Sequence, residues 1–114
     1  MRALFVELPP FSRSRRDYLD DDAYRRFQEF LLAEPLAGDV IQGTGGLRKI
    51  RFADPRRQKG KRGGLRVIYY FWRDVEQFWL FTLYDKDEAA DLTAAERKAV
   101  KALLEAELAA RSEI

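Results

Sequence analysis

Two short spacings place groups that handle phosphate. Lys49 and Arg51 stand two apart in the alternating stretch LRKIRFA, and Tyr84 and Lys86 stand two apart in LYDK. Side chains two apart on a strand share a face, about 7 Å from one another. Lys49 and Arg51 therefore project from one face, and Ile50 and Phe52 from the other. Arg66 opens the next apolar run. If these strands are antiparallel neighbours across residues 54–64, Arg51 and Arg66 meet at one end of the sheet. Lys86, just past the last strand, can join them. Cations so arranged can converge on one face and bind a polyanion. The plain alternative is a solvated face beside a basic loop. For Tyr84 the alternatives are core packing and base stacking or acid–base work.

The surrounding charge sharpens this reading. Residues 48–66 carry nine bases (Arg48, Lys49, Arg51, Arg56, Arg57, Lys59, Lys61, Arg62, Arg66) against Asp54 alone, a balance of +8. The rest of the chain carries twelve bases and eighteen acids, −6, which leaves a net +2. A basic patch on an otherwise acidic small protein marks a polyanion-binding face. Arg48, Arg56, Arg57, Lys59, Lys61 and Arg62 are the candidates for generic contact with nucleic acid. The chain has no histidine and no cysteine. Thiolate metal sites, disulfides, cysteine nucleophiles and the usual histidine base are thus excluded. No carboxylate spacing suggests a metal, and no cofactor is expected.

The glycines nearby do not make a phosphate loop. Gly60-Lys61 is followed by Arg62, with Pro55 at the upstream glycine position, so the Walker pattern fails. Gly43 and Gly45 begin a dinucleotide fingerprint, but Arg48 occupies its sixth position. Gly43, Gly45 and Gly46 read instead as a turn that needs positive φ.

The elements that must carry these groups follow from periodicity. Residues 2–7, RALFVE, predict a short strand that Pro9 and Pro10 stop. Residues 11–19 predict a short helix. Residues 20–34 predict a firmer one, capped by Asp20 and apolar at Tyr24, Phe27 and Leu31. Pro35 and Gly38 end it. Residues 47–53 form a strand, and residues 54–64 are too polar for an element. LRVIYYFW (65–72) and FWLFTLY (78–84) are apolar and aromatic enough for central strands, joined by a turn at 73–77. Tyr69 to Trp72, Phe78, Trp79 and Phe81 read mainly as core. Thr93-Ala-Ala-Glu96 is a capping box that opens a last helix, with Val100, Leu103, Leu104 and Leu108 as its apolar stripe. The order β-α-α-β-β-β-α over 1–114 predicts one α+β domain: a small antiparallel sheet packed against two N-terminal helices and one C-terminal helix. The apolar run from Ala3 to Val6 is too short for a signal or membrane segment, so a soluble cytoplasmic protein with no membrane partner is expected.

The run DVIQGTGGLRKIRFA, then GKRGGLRVIYYF, then FTLYDKDEAADLT with its following helix, resembles the RelE/HigB family of toxins, the HigB branch most of all. The likeness covers nearly the whole chain. It implies a RelE-like fold and a ribosome-dependent endoribonuclease that cuts messenger RNA in the ribosomal A site. It also implies neutralisation by a cognate, HigA-like, helix-turn-helix antitoxin, with operator DNA reached only through that complex. The family's basic cluster falls on Lys49, Arg51, Arg66 and Lys86. On this pattern Arg51 and Arg66 hold the scissile phosphate, Lys49 or Lys86 moves protons, and Tyr84 stacks on or orients the nucleotide. A lysine among cations releases its proton more readily, as such a role requires. The family's C-terminal tyrosine has no counterpart in AELAARSEI, and the choice of general base stays open. The rival expectation is a ribosome- or RNA-binding regulator of the same fold that cuts nothing.

Overall fold

The computed structural model describes residues 2–53, 64–85 and 92–112. Strand β1 spans Leu4–Glu7, helix α1 Pro9–Tyr18, helix α2 Asp21–Ala33, strand β2 Asp39–Val40 and strand β3 Arg48–Phe52. Strand β4 spans Leu65–Trp72, a 3-10 turn Arg73–Val75, strand β5 Gln77–Asp85 and helix α3 Ala94–Ser112. The five strands form one sheet in the order β1-β5-β4-β3-β2. The β2-β3-β4-β5 succession is antiparallel, as the short connections predict. β1 joins the far edge parallel to β5, so the sheet is mixed. Phe5 of β1 stacks on Phe78 at 4.9 Å, which anchors that edge.

Two cores sandwich the sheet. Helices α1 and α2 cover one face, where Phe11, Leu19, Tyr24, Phe27 and Leu31 meet Ile50, Val67, Tyr69, Phe78 and Leu80. Helix α3 covers the other, where Leu104 packs on Ile68, Trp79 and Phe81. β4 and β5 are buried on both faces along most of their length, and this is why their sequences run continuously apolar instead of alternating. The Arg111 guanidinium lies 4.8 Å over the Trp79 ring and closes the far end of α3.

Local chemistry explains the boundaries. Asp20 caps α2 by accepting from the Ala23 amide at 2.8 Å. In the predicted capping box of α3, the Glu96 carboxylate accepts from the Thr93 amide and the Glu96 amide donates to the Thr93 hydroxyl. α1 starts earlier than expected, at Pro9. Its prolines occupy the first helical turn, where a missing N–H breaks no intrahelical bond. β2 went unforeseen because two exposed residues carry no periodic signal. Gly43, Gly45 and Gly46 all have positive φ, so this segment is turn geometry, and the buried Thr44 hydroxyl donates to the Ile41 carbonyl at 2.6 Å.

Candidate active site

The ladder registers bring separate stretches of sequence into rows. Arg51 pairs with Arg66 across β3 and β4, and Arg66 pairs with Tyr84 across β4 and β5. These three side chains form one row on the α3 side of the sheet. The adjacent row runs Asp39, Lys49, Ile68 and Thr82 from β2 to β5. Lys49 therefore lies two strand residues from Arg51, on the same face. Directly opposed like charges destabilise a sheet. An Arg51–Arg66 pair is thus an unfavourable choice for stability alone and a favourable one for holding an anion.

Arg66 is only 6% exposed, whereas Arg51 is exposed and Lys49 is half-buried. An arginine is seldom so buried. Its guanidinium donates to the Gly64 carbonyl at 3.3 Å. Burial fixes the planar fork before any ligand arrives, so little side-chain entropy remains to be lost on binding.

Tyr84 reaches this row through an irregularity. In β5 the pairing slips between Ile68 and Tyr69 of β4: Tyr69 faces Leu80, but Ile68 faces Thr82. Phe81 is the extra residue of a β-bulge, which resets the alternation. Before the bulge, Phe78 and Leu80 face α1 and α2 while Trp79 faces α3; after it, Leu83 returns to the first core and Tyr84 packs against the second. Strict alternation from Trp79 would turn Tyr84 away from Arg66.

The other candidates separate. Arg48 faces the opposite side, in register with Tyr69. It donates to the carbonyls of Gly38 at 2.7 Å and Leu36 at 3.2 Å, and so ties the α2–β2 connection to the sheet. Tyr69 does the same from below: its hydroxyl donates to the Pro35 carbonyl at 2.9 Å and accepts from the Gly38 amide at 3.0 Å. Burial pushes the Tyr69 phenol above its ordinary pKa. Burial, followed by the 2.7 Å bond to Glu7, does so more strongly for Tyr24. Both phenols lie on the α1–α2 side and serve structure. Lys86, Arg56, Arg57, Lys59, Lys61 and Arg62 lie outside the described residues.

Arg97, in the first turn of α3, was missed from the sequence. It lines a cleft of about 310 Å³ with Asp39, Val40, Ile41, Gln42 and Lys49. The available signal was a cation at the helix end where the dipole disfavours one. A larger, mostly apolar groove of about 560 Å³ at Pro35, Leu36, Phe71 and Arg73 contains none of the candidate residues. Among the described residues, no group of three or more His, Cys, Asp or Glu could hold a metal ion, and no helix is long and apolar enough to cross a membrane.

No family model matches the sequence. Solved structures do resemble it. A mutant of the E. coli toxin RelE in the free state aligns with TM-score 0.53 at 14% identity, over 79% of this chain and 90% of that one. The isolated E. coli RelE toxin gives 0.52 at 14% identity over 90% and 99%. The intact E. coli RelBE toxin–antitoxin complex gives 0.50 at 14% identity over 72% and 94%. At this identity the likeness is one of architecture, and the chain has a RelE-like α+β fold.

Proposed function

We propose that this chain is a RelE-type toxin of the HigB branch, a ribosome-dependent endoribonuclease that cleaves messenger RNA in the ribosomal A site. The observation that carries the reading is the Arg51–Arg66–Tyr84 row with Lys49 beside it. In the proposed step the ribose 2′-oxygen attacks the adjacent phosphorus. The 2′-oxygen–phosphorus bond forms, the bond to the 5′-oxygen breaks, and a cyclic phosphate and a 5′-hydroxyl result. Arg51 and the pre-fixed Arg66 hold the phosphate and stabilise the added negative charge. Lys49 and Lys86 take up the proton of the 2′-hydroxyl and supply one to the 5′-oxygen. Tyr84 stacks on or orients the nucleotide. The ribosome supplies the positioning of a flexible substrate that a small open face lacks.

A cognate antitoxin of HigA-like, helix-turn-helix type would cover the cationic face, steered by opposite charge, and would bring the complex to operator DNA. The cytoplasm is the compartment this role requires. The RelBE complex, an assembly of toxin and antitoxin, supports the partner class by analogy of fold. The test is purified protein with ribosomes and message, followed by primer extension. Cuts within codons, lost in Arg66→Ala, are expected. Halted translation on unbroken message would overturn the nuclease reading in favour of a binder.

A further inference from the structure

Two grooves adjoin at the tip of the β4–β5 hairpin. One, already described, runs between Leu36 and Phe71. The other, of about 580 Å³, lies between Leu4, Leu32 and Val75 beside the start of β1. Glu76 lines both, and neither groove contains a residue of the cationic row. We propose that the pair forms a docking surface for an apolar segment of a partner protein, with a lysine or arginine of that segment seated on Glu76. The surface stands or falls independently of the nuclease reading.

Three observations support this assignment. First, the grooves are lined by apolar surface left uncovered. Leu4, Leu36 and Val75 are 58%, 45% and 46% exposed, three of the five large apolar side chains exposed among the described residues. Such side chains gathered at one end of a small domain mark an interaction site. Second, Glu76 is strained. Its φ is 54°, and it is the one non-glycine at positive φ among the described residues. Glycine or asparagine is the usual choice at such a turn position. The backbone is fixed there: the Glu76 amide donates to the Arg73 carbonyl at 3.2 Å, and its carbonyl accepts from the Leu4 amide at 3.1 Å. A charged side chain kept on a strained backbone and pre-set in direction fits a binding group better than a turn residue. Third, the charge where the grooves meet calls for a cation. Among the described residues the Glu76 carboxylate has no ion pair, unlike those of Asp21, Asp22 and Glu107. Nor has Glu34, so the Leu36–Phe71 groove carries two unpaired acids against Arg73. When an apolar segment covers the groove, water leaves Glu76, and the carboxylate then needs a cation opposite it. A second copy of this chain does not supply one, because an isologous contact centred on Glu76 would set it against its own counterpart.

The test uses the full-length protein and two labelled nonapeptides of leucine and threonine, one with a central arginine and the other with a central glutamate. Binding is followed by fluorescence anisotropy, and the oligomeric state by sedimentation. The arginine peptide is expected to bind about tenfold more tightly, the worth of one charged hydrogen bond. Glu76→Gln should erase that preference and Glu76→Lys reverse it. Glu76→Gly should raise Tm, because at positive φ the relief of strain outweighs the added freedom of the unfolded chain. The same variant should lose the preference, which separates binding from folding. Asp74→Asn removes the same charge from an exposed turn residue that lines neither groove, and should change nothing. No binding of the arginine peptide by the parent protein, a preference that survives in Glu76→Gln, or an equal loss in Asp74→Asn overturns the docking surface. A dimer that Val75→Asp dissolves assigns the grooves to a second copy and overturns the partner segment.

Discussion

Truncating Arg66 to alanine separates a chemical role from a structural one. The buried guanidinium gives up its interactions, among them the long bond to the Gly64 carbonyl, and the shortened side chain no longer fills its place in the row opposite Tyr84. Those losses are offset in part by relief of repulsion from Arg51, which is small because Arg51 is exposed. A net cost on the order of 1–3 kcal/mol follows, as for removing a buried hydrogen-bonding group. For a domain of this size that lowers Tm by about 4 °C per kcal/mol. A domain of ordinary stability, at least about 5 kcal/mol, stays more than 95% folded after such a loss. Unfolding therefore removes a few per cent of activity at most. Loss of a preorganised donor to the transition state removes about a hundredfold to a thousandfold. Single-turnover cleavage on programmed ribosomes, read beside a circular-dichroism melt, distinguishes the two. Arg66→Lys keeps the charge without the fork and should fall between parent and alanine variant. A folded Arg66→Ala protein that cuts within tenfold of the parent rate would refute the assignment of Arg66 to the reacting phosphate.

Tyr84→Phe should retain most cleavage and Tyr84→Ala lose about ten- to a hundredfold if the ring stacks on a base, worth about 1–3 kcal/mol; equal losses would point to the hydroxyl instead. Arg48→Ala should lower Tm by several degrees through its lost bonds to Gly38 and Leu36, yet leave the cleavage rate of the folded protein unchanged. Tyr69→Phe should cost about 1–3 kcal/mol in urea melts, because the buried Gly38 amide loses its acceptor. With folded pKa values raised, the Tyr24 and Tyr69 phenols stay neutral where their unfolded counterparts ionise. Stability is thus intact below the ordinary phenol value of 10.0 and falls as pH rises past it, less steeply in Tyr24→Phe and in Tyr69→Phe. Gly38→Ala should destabilise strongly and misplace Lys49, since a Cβ there would sit 2.9 Å from the Tyr69 ring and 3.0 Å from the Lys49 carbonyl.

Apart from β2, the sequence alone determined the order of elements, the caps of α2 and α3 and the clustering of charge. Each is a local property. Asp20 caps α2 through an amide three residues away, and Thr93 and Glu96 satisfy one another within one turn. The turn at Gly43–Gly46 follows from residues that tolerate positive φ. Even the Arg51–Arg66 pairing was legible, because a hairpin fixes which strand ends meet. What the sequence could not carry depends on register and on contacts between distant segments. The two residues of β2 become a strand only because β3 offers a partner edge. Arg48 sits amid the basic run, yet it faces the other side of the sheet and holds backbone carbonyls. Arg97 joins Lys49 only when α3 folds back over the sheet. Tyr84 shares a face with Arg66 because one unpaired residue, Phe81, shifts the alternation of β5. Alternation counts residues along a strand and is blind to a bulge, which exists only in the pairing with a neighbour.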